Sequence, residues 1–208
     1  MQAVVAPLFD VRPIEWEAPD AASVDAVILT SANAPRQTGP QLQSFVRLPC
    51  YAVGEATAAA AKEAGFADVH VGPSDGAALM ELLAEREVER ALHLCGRDNH
   101  PINHHQVAVI RRIVYAAEPV EALPPNAAQA LAEGALTLLH SPRAAALFAT
   151  LVSDKGRSAI AAISPAALAA AGTGWRLAAS APVPRDEALL ELARKLCKSD
   201  PREMGNGG

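Results

Sequence analysis

The chain has 208 residues, of which 50% are hydrophobic and 20% are charged. This composition can fill a core and excludes a disordered polypeptide, and the length corresponds to one or two domains of roughly 100 residues each. The net charge of −5 argues against a general nucleic-acid binder, because such proteins carry a long basic stripe. An anionic small molecule is still compatible with this charge, since its site needs only a local excess of donors.

The cysteines and the hydropathy pattern indicate where the protein works. Cys50, Cys95 and Cys197 are odd in number, widely spaced and without a C-x-x-C motif. That pattern favours reduced thiols and argues against a disulfide scaffold or a zinc site. No apolar run approaches the roughly 20 residues that span a bilayer, and no secretory signal opens the chain. We therefore expect a cytoplasmic protein without membrane association.

Short apolar runs alternate with alanine-rich helical stretches along the chain. In order, the predicted elements are strands Val4–Leu8 and Ala26–Leu29, helix Ala34–Phe45, strand Tyr51–Val53, helix Thr57–Ala64, strand Val69–Val71, helix Ala77–Glu85, strands Ala91–Leu94 and Ile113–Tyr115, helix Asn126–Glu133, strand Leu136–Leu139, helix Arg143–Leu151, strand Ala159–Ile163, helix Ala166–Ala171, strand Leu177–Ala179 and helix Asp186–Lys198. Strand–helix alternation with short turns is typical of parallel sheets covered by helices. The predicted fold class is therefore α/β.

An internal repeat divides the chain into two related halves. "VILTSANAPR" (27–36) corresponds to "TLLHSPRAAA" (137–146), and "YAVGEATAAAAKEAGF" corresponds to "AAISPAALAAAGTGW". "VHVGPSDGAALMELL" then corresponds to "LAASAPVPRDEALLEL". Ser31 precedes Ser141 by 110 residues, and Gly54 precedes Ser164 by the same interval. Three matching segments in one order predict two related α/β domains.

Two segments rich in proline and acidic residues mark the connections between these domains. "RPIEWEAPDA" (12–21) and "AAEPVEALPPN" (116–126) are typical of extended linkers. The predicted domains are residues 15–118 and residues 1–14 together with 119–200, followed by a disordered tail at 201–208. Two crossings predict a two-stranded linker, and the cleft between the domains is the expected ligand site.

The ordered series of motifs resembles the uroporphyrinogen-III synthase family. It runs through "APLFDV", "VILTSANA", "YAVGEATAAAAKEAGF", "GPSDGAALMELL", "LHLCGRD", "RIVYAAEP", "LLHSPRAA" and "AAISPAALAAAG" and covers about 200 residues. The resemblance implies two flavodoxin-like domains joined by a two-stranded linker. It also implies an enzyme of tetrapyrrole (haem) biosynthesis that cyclises the linear tetrapyrrole hydroxymethylbilane, with loss of water, inversion of the last ring and no cofactor. The implied protein is a monomer.

The sequence departs from the family pattern in two places. Family members begin with a strand reading roughly "VLVTRP" followed by a helix, whereas this chain begins at the expected second strand, "AVVAPLF". If the sheet order is flavodoxin-like, the missing strand is a central one, and its loss is expected to be costly. The second departure is "AAISPAALAAAG", where the family usually has a glycine at Ser164 and a threonine near Ala166 or Ala167.

Four strand-to-helix turns are the candidate binding positions. Backbone N–H groups at a helix start point toward an anion, and the helix dipole favours negative charge there. The alternative for each serine or threonine is a helix N-cap, worth about 1 kcal/mol, and the two roles do not exclude each other. With the resemblance, the predicted contacts are strongest at the turns after residues 30 and 53 and weakest at Ser164. The predicted substrate-binding residues of these turns are Ser31, Ala32, Asn33, Gly54, Glu55, Ala56, Thr57, Ser141, Pro142, Ser164 and Ala166.

Tyr115 and Arg97 complete the predicted site. Tyr115 matches the tyrosine that the family places facing the cleft, where its O–H would help the hydroxyl leave; the alternative is a half-buried strand aromatic. "CGRDNHPINHHQ" (95–106) concentrates one arginine and three histidines, but its spacing does not fit a metal site. A solvated loop or local positive charge for a polycarboxylate are the other interpretations, and Arg97 is the best-placed residue for the latter.

Two other functions are compatible with the pattern. One is a non-catalytic relative that keeps the fold and has lost activity. The other is a flavodoxin-like interaction module, which is disfavoured because the chain has neither a clustered acidic pocket nor a phosphate-binding glycine loop.

Overall fold

The computed structural model describes residues 3–72 and 75–199 and forms two compact units. One unit is Asp10–Glu118, and the other consists of the described residues on either side of it. The assignment of residues 15–118, and of 1–14 with 119–200, to two domains stays a prediction that these units support. The predicted disordered tail at 201–208 lies outside the described residues.

The larger sheet has six strands, and three α-helices lie in the described connections between them. Its strands are β1 (Phe9–Pro13), β2 (Ala26–Leu29), β3 (Cys50–Val53), β4 (Val69–Gly72), β5 (Arg90–Gly96) and β6 (Ala108–Pro119), and its helices are α1 (Asn33–Gln37), α2 (Glu55–Glu63) and α3 (Gly76–Glu85). The strand order is β1-β6-β5-β2-β3-β4, and the five strands from β2 to β6 run parallel.

The edge strand β1 runs against the direction of the others. The Ile14 amide donates to the Val114 carbonyl at 2.9 Å, and the Val120 amide donates to the Leu8 carbonyl at 3.0 Å. Residue numbers therefore fall along β1 as they rise along β6, which makes this pair antiparallel. Both crossings between the two units occur in this pair of strands, so the predicted two-stranded linker is confirmed.

Strand β2 is buried along its whole length because both faces of the sheet are covered. On one face, Leu29, Phe45 and Leu94 belong to a cluster with the residues around α1 and α2. On the other face, Ile28 and Leu79 belong to a cluster that packs against α3. The central strands are hydrophobic on both sides for this reason. A polar side chain within them is therefore unusual and calls for a specific explanation.

The second unit has a parallel three-stranded sheet in the order β7-β8-β9. Its strands are β7 (Leu136–Leu139), β8 (Ala159–Ala162) and β9 (Leu177–Ser180), and its helices are α4 (Pro125–Ala132), α5 (Pro142–Leu151), α6 (Pro165–Ala171) and α7 (Asp186–Ser199). Alanine dominates the contact between α6 and β8. Small side chains let a helix approach a sheet closely, and Ile160 and Phe148 supply the larger apolar volumes of this core.

The internal repeat is visible in the register of the two sheets. Val27 lies opposite Cys50 in β2 and β3, and Thr137 lies opposite Ile160, 110 residues later, in β7 and β8. The prediction of two related α/β halves is therefore confirmed. The halves differ on one side: β2 also pairs with β5, whereas β7 pairs only with β8 among the described residues.

Two predicted elements were wrong. Val4–Leu8 is not a strand; the strand is Phe9–Pro13 instead, beginning after Pro7, which has no N–H to donate to a ladder. The predicted helix Ala34–Phe45 ends at Gln37, and a 3₁₀ helix follows at Pro40–Ser44. Gly39 has a φ of 76°, and together with the proline after it this breaks the helix.

Helix lengths also bear on membrane association. Among residues 3–72 and 75–199, no helix is long and apolar enough to cross a membrane.

Candidate functional site

Most of the predicted site residues of the larger unit meet at one edge of its sheet. Because β2, β3, β5 and β6 are parallel, their C-terminal ends lie at the same edge. Neighbouring strands are about 4.8 Å apart, so one continuous rim is formed by the turns after β2 and β3, the end of β5, and Tyr115, which lies within β6 opposite Gly96. We call this rim, made of Ser31–Asn33, Gly54–Thr57, Gly96–Arg97 and Tyr115, the C-terminal edge.

The strand order places a switch point within the C-terminal edge. From β2 the chain moves to β3 and β4 on one side, and then returns to form β5 and β6 on the other. In open α/β sheets, the connections on the two sides of such a reversal diverge, which opens a crevice beyond the strand ends. The crevice expected here lies between the ends of β2 and β5.

The Ser31 turn is held by its own side chain. Ser31 Oγ accepts from the Asn33 amide at 3.2 Å, and the Ser31 carbonyl accepts from the Ala34 amide at 3.1 Å. Ser31, Ala32 and Asn33 are half-buried. Ser31 Oγ thus satisfies one amide at the start of α1, as a capping side chain would, although the N-cap residue itself is Ala32. The turn is still partly exposed at the edge of the sheet.

The Gly54 turn lacks a side-chain cap. Gly54 is the N-cap of α2 and, having no side chain, makes no capping hydrogen bond to the first turn of this helix. The amides of Glu55, Ala56 and Thr57 have no intrahelical acceptor, since the first turn of any helix leaves such donors. Glu55 and Ala56 are exposed, whereas Thr57 is buried. This turn therefore presents amide donors to solvent at the C-terminal edge.

Gly54 adopts a backbone conformation, φ 76° and ψ 163°, that is open almost only to glycine. We expect Gly54→Ala to lower the free energy of unfolding by about 1–3 kcal/mol, measured by denaturant titration. No atom lies within 4 Å of the added Cβ, so the cost is one of backbone strain alone. Gly156→Ala is the matched control, because Gly156 has no positive φ and its Cβ would meet Asp154 Oδ1 at an ordinary 3.5 Å. Equal stability of the two variants would contradict the strained turn.

Tyr115 lies over a glycine of the neighbouring strand. A Cβ added to Gly96 would come within 2.6 Å of Tyr115 Cζ and 2.8 Å of Tyr115 Oη. The half-buried phenol therefore occupies the space that any other side chain at residue 96 would need. Sequence reasoning did not identify Gly96; the signal was a glycine at the end of a buried strand, where backbone and ring approach closely.

Arg97 is positioned by the same strand end but is already paired. Its amide donates to the Tyr115 carbonyl at 2.9 Å, and its Nη1 lies 2.6 Å from Glu118 Oε1. Both side chains are about half exposed, at 53% and 45%, so this ion pair contributes little to stability. The sequence did not predict this partner.

The predicted residues of the other unit are helix caps. Ser141 Oγ accepts from the Ala144 amide at 3.1 Å, and Ser164 Oγ accepts from the Ala167 amide at 3.2 Å. The residue after each serine is a proline at the first helical position, where its missing N–H costs nothing. Pro142 and Ala166 are exposed. Capping thus accounts for both serine hydroxyls.

A buried histidine lies beside the switch point. His93 is 0% exposed in the middle of β5, and its Nε2 lies 3.0 Å from Thr30 Oγ1 at the end of β2. Its Nδ1 has no hydrogen-bond partner within residues 3–72 and 75–199. Burial, reinforced by the charge of Arg111, lowers the pKa of His93 to about 4. Sequence reasoning missed this residue, because a single histidine inside an apolar run gives no signal of its contacts.

The histidine-rich loop after β5 has a different character. His104 Nε2 lies 3.4 Å from Glu81 Oε2, and its Nδ1 accepts from the Gln106 amide at 3.3 Å. The ring of His104 also packs on that of His105. Within the part of the chain that the structure describes, no three His, Cys, Asp or Glu side chains are grouped as a metal would need.

Comparison with known proteins identifies the family of this chain. The sequence profile described as uroporphyrinogen-III synthase HemD matches residues 1–191. The chain belongs to the uroporphyrinogen-III synthase family. The resemblance inferred from the motifs is thereby confirmed, and the family is one of lyase-type enzymes that act on a tetrapyrrole.

Solved structures agree with the fold of this family. The uroporphyrinogen-III synthetase of Helicobacter pylori has a TM-score of 0.69 and 20% identity, over 91% of each chain. A mutant uroporphyrinogen III synthase from Thermus thermophilus has a TM-score of 0.50 and 14% identity, over 95% of this chain and 90% of that one. At such identities the likeness shows the fold alone. Curated protein sequences give no match.

Proposed function

We propose that this chain is an active uroporphyrinogen-III synthase, which closes hydroxymethylbilane to uroporphyrinogen III. The observation that carries the proposal is the family match over residues 1–191. The reaction removes a hydroxyl as water, leaves an azafulvene at one end of the linear tetrapyrrole and joins the two ends with inversion of the last ring. The pyrrole nitrogens supply the electrons for loss of the hydroxyl, so the proposal needs no cofactor.

The C-terminal edge is the part of the chain that we assign to substrate carboxylates. The uncapped amides of α2 point to solvent beside the Ser31 turn, and such donors bind anions. Glu55, exposed in the first turn of α2, would repel an added anion at close range. A carboxylate is therefore expected nearer to Gly54 and Ala56 than to the Glu55 side chain.

Arg97 is assigned to the same polycarboxylate. Its guanidinium is held by the Glu118 carboxylate in the absence of substrate. A substrate carboxylate would take over this charge-assisted hydrogen bond and leave Glu118 to water. Because both side chains are about half exposed, the exchange carries only a small desolvation cost.

Tyr115 is assigned as the hydrogen-bond donor to the departing hydroxyl. Its ring lies against Gly96 of the neighbouring strand. A donor at this oxygen favours cleavage of the carbon–oxygen bond, because negative charge develops there as the bond breaks. Tyr115 donates its hydroxyl hydrogen to the leaving oxygen in a hydrogen bond.

The remaining assignments concern the other unit and the state of the protein. Ser141, Pro142, Ser164 and Ala166 are proposed to contact substrate through backbone groups, since both serine hydroxyls serve as caps. The proposed protein is a cytoplasmic monomer that acts on a small molecule and not on nucleic acid. The acidic net charge supports the last point.

Freshly prepared hydroxymethylbilane tests the function directly. We expect the purified protein to form the type III isomer faster than the spontaneous closure to type I, with the isomers separated by chromatography after oxidation. A heat-denatured sample is the control. Type I alone, at the spontaneous rate, would contradict the proposal and favour the non-catalytic relative.

A further inference from the structure

Thr30 and His93 form a polar pair inside an otherwise apolar part of the sheet. Thr30 follows the last residue of β2, and His93 lies on the neighbouring strand β5. The pair is joined by the 3.0 Å contact between Thr30 Oγ1 and His93 Nε2. A buried polar side chain costs stability unless its groups are satisfied, yet His93 Nδ1 is unpartnered. This cost indicates that the pair serves something besides packing.

The protonation state of His93 decides which way the hydrogen bond runs. The ring is neutral near pH 7, because its pKa is lowered to about 4, and so it carries a single N–H. A buried N–H without an acceptor is rare in proteins, which places this proton on Nε2 and leaves the bare lone pair on Nδ1. His93 Nε2 therefore donates, and Thr30 Oγ1 accepts. The proton of the Thr30 hydroxyl is then free to be donated elsewhere.

The location of Thr30 shows where that proton can go. Thr30 is half-buried, immediately before the Ser31 turn, and it directly follows β2, which with its neighbour β5 forms the pair at which the strand order reverses. The crevice of an open α/β sheet is expected there. A hydroxyl at that position is within reach of a ligand that approaches the C-terminal edge, whereas the His93 ring beneath it is fully covered.

We infer that His93 is a positioning residue that fixes the Thr30 hydroxyl as a donor to a substrate carboxylate at the switch point between β2 and β5. This inference rests on the proposed function for the identity of the ligand. Thr30 is thereby a binding residue in its own right. His93 acts only through Thr30, because its ring does not reach solvent.

Four single variants separate this role from a packing role. Thr30→Val keeps the branched shape and removes the hydroxyl, and Thr30→Ser keeps the hydroxyl. His93→Leu removes the donor, and His93→Gln places an amide N–H near the position of Nε2. We expect Thr30→Val to raise KM for hydroxymethylbilane about 10-fold, as for a hydrogen bond to a charged group, with kcat within about twofold. His93→Leu should raise KM by a smaller factor, and Thr30→Ser and His93→Gln should stay close to wild type.

The double variant Thr30→Val/His93→Leu provides the decisive comparison. Its KM should equal that of Thr30→Val, because His93 has no route to the substrate once the hydroxyl is gone. An unchanged KM in Thr30→Val, or an equal effect of His93→Leu with and without Thr30, would overturn the inference. Thermal unfolding of each variant identifies any that fail to fold; for those, Thr30→Ser and His93→Gln still report on the donor.

Binding of uroporphyrin III, the stable oxidised form of the product, separates this inference from the proposed function. Its dissociation constant should rise in Thr30→Val by the same factor as KM. A wild-type protein that binds uroporphyrin III without forming type III product would end the proposed function, and weaker binding by Thr30→Val would still support the Thr30 contact. If the wild-type protein forms type III product while Thr30→Val keeps both KM and the dissociation constant, the proposed function is supported and the inference about Thr30 is overturned.

Discussion

Replacing Tyr115 by phenylalanine is expected to lower kcat for type III formation about 100-fold and to leave KM within about twofold, as the loss of a proton donor used only in the transition state does. The substitution removes one oxygen and keeps the ring, so the packing against Gly96 is preserved. Steady-state kinetics with hydroxymethylbilane measure both constants. Single-turnover measurements separate the cyclisation step from product release.

The other tyrosine of the chain is the control. Tyr51 is buried within β3 and its ring stacks on His70 at 4.9 Å. It packs on the face of the sheet that α3 covers, away from the C-terminal edge. Tyr51→Phe is therefore expected to keep the wild-type kcat. If Tyr115→Phe also keeps it, Tyr115 is a packing residue and the electronics of the substrate suffice for loss of the hydroxyl.

Gly96→Ala is expected to reduce kcat at least as much as Tyr115→Phe, because it displaces the whole phenol. The new Cβ would stand 2.6 Å from Cζ and 2.8 Å from both Cε2 and Oη of Tyr115, and these distances are well inside van der Waals contact. The ring must turn away from its position over β5. The accompanying loss of stability should be about 1–3 kcal/mol, which is typical of overpacking.

Kinetics and stability together identify the cause of the Gly96→Ala effect. In a Tyr115→Phe background, the alanine should lower kcat by little more, since both changes act on one hydroxyl. Gly156→Ala, which adds a methyl group without a close contact, controls for the substitution itself. A Gly96→Ala protein with wild-type kcat would show that the position of the ring over Gly96 has no part in catalysis.

Most of the fold could be predicted because the local patterns were strong. The short apolar runs at Ala26–Leu29 and Leu136–Leu139 are strands with the predicted bounds. Buried parallel strands must be apolar on both faces, so they stand out in the sequence without any knowledge of their neighbours. The repeat interval also survives in the register between β2 and β3 and between β7 and β8.

The predictions failed where a segment depends on a distant partner. The strand Phe9–Pro13 owes its place to pairing with β6, about a hundred residues away. The apolar–polar alternation of "FDVR" covers only four residues, which is too short to mark this strand against the apolar residues of Val4–Leu8. The predicted helix Ala34–Phe45 failed for a local reason, because a glycine followed by a proline at Gly39 and Pro40 breaks a helix. The misplaced strand therefore reflects tertiary pairing that the sequence does not show, and the overlong helix reflects turn-forming residues within the segment itself.

Some features of the candidate site could likewise be predicted from the sequence, and others could not. The sequence by itself determined the α/β class, the duplicated halves and the positions of the Ser31 and Gly54 turns, because these follow from periodicity, glycine and spacing within short segments. Only the tertiary structure decided that Gly96 makes room for Tyr115, that Glu118 holds Arg97 and that His93 lies in hydrogen-bond contact with Thr30. Each of these contacts joins a residue on one strand with a residue on, or immediately after, another strand, and the register that brings them together is set by packing of the whole sheet.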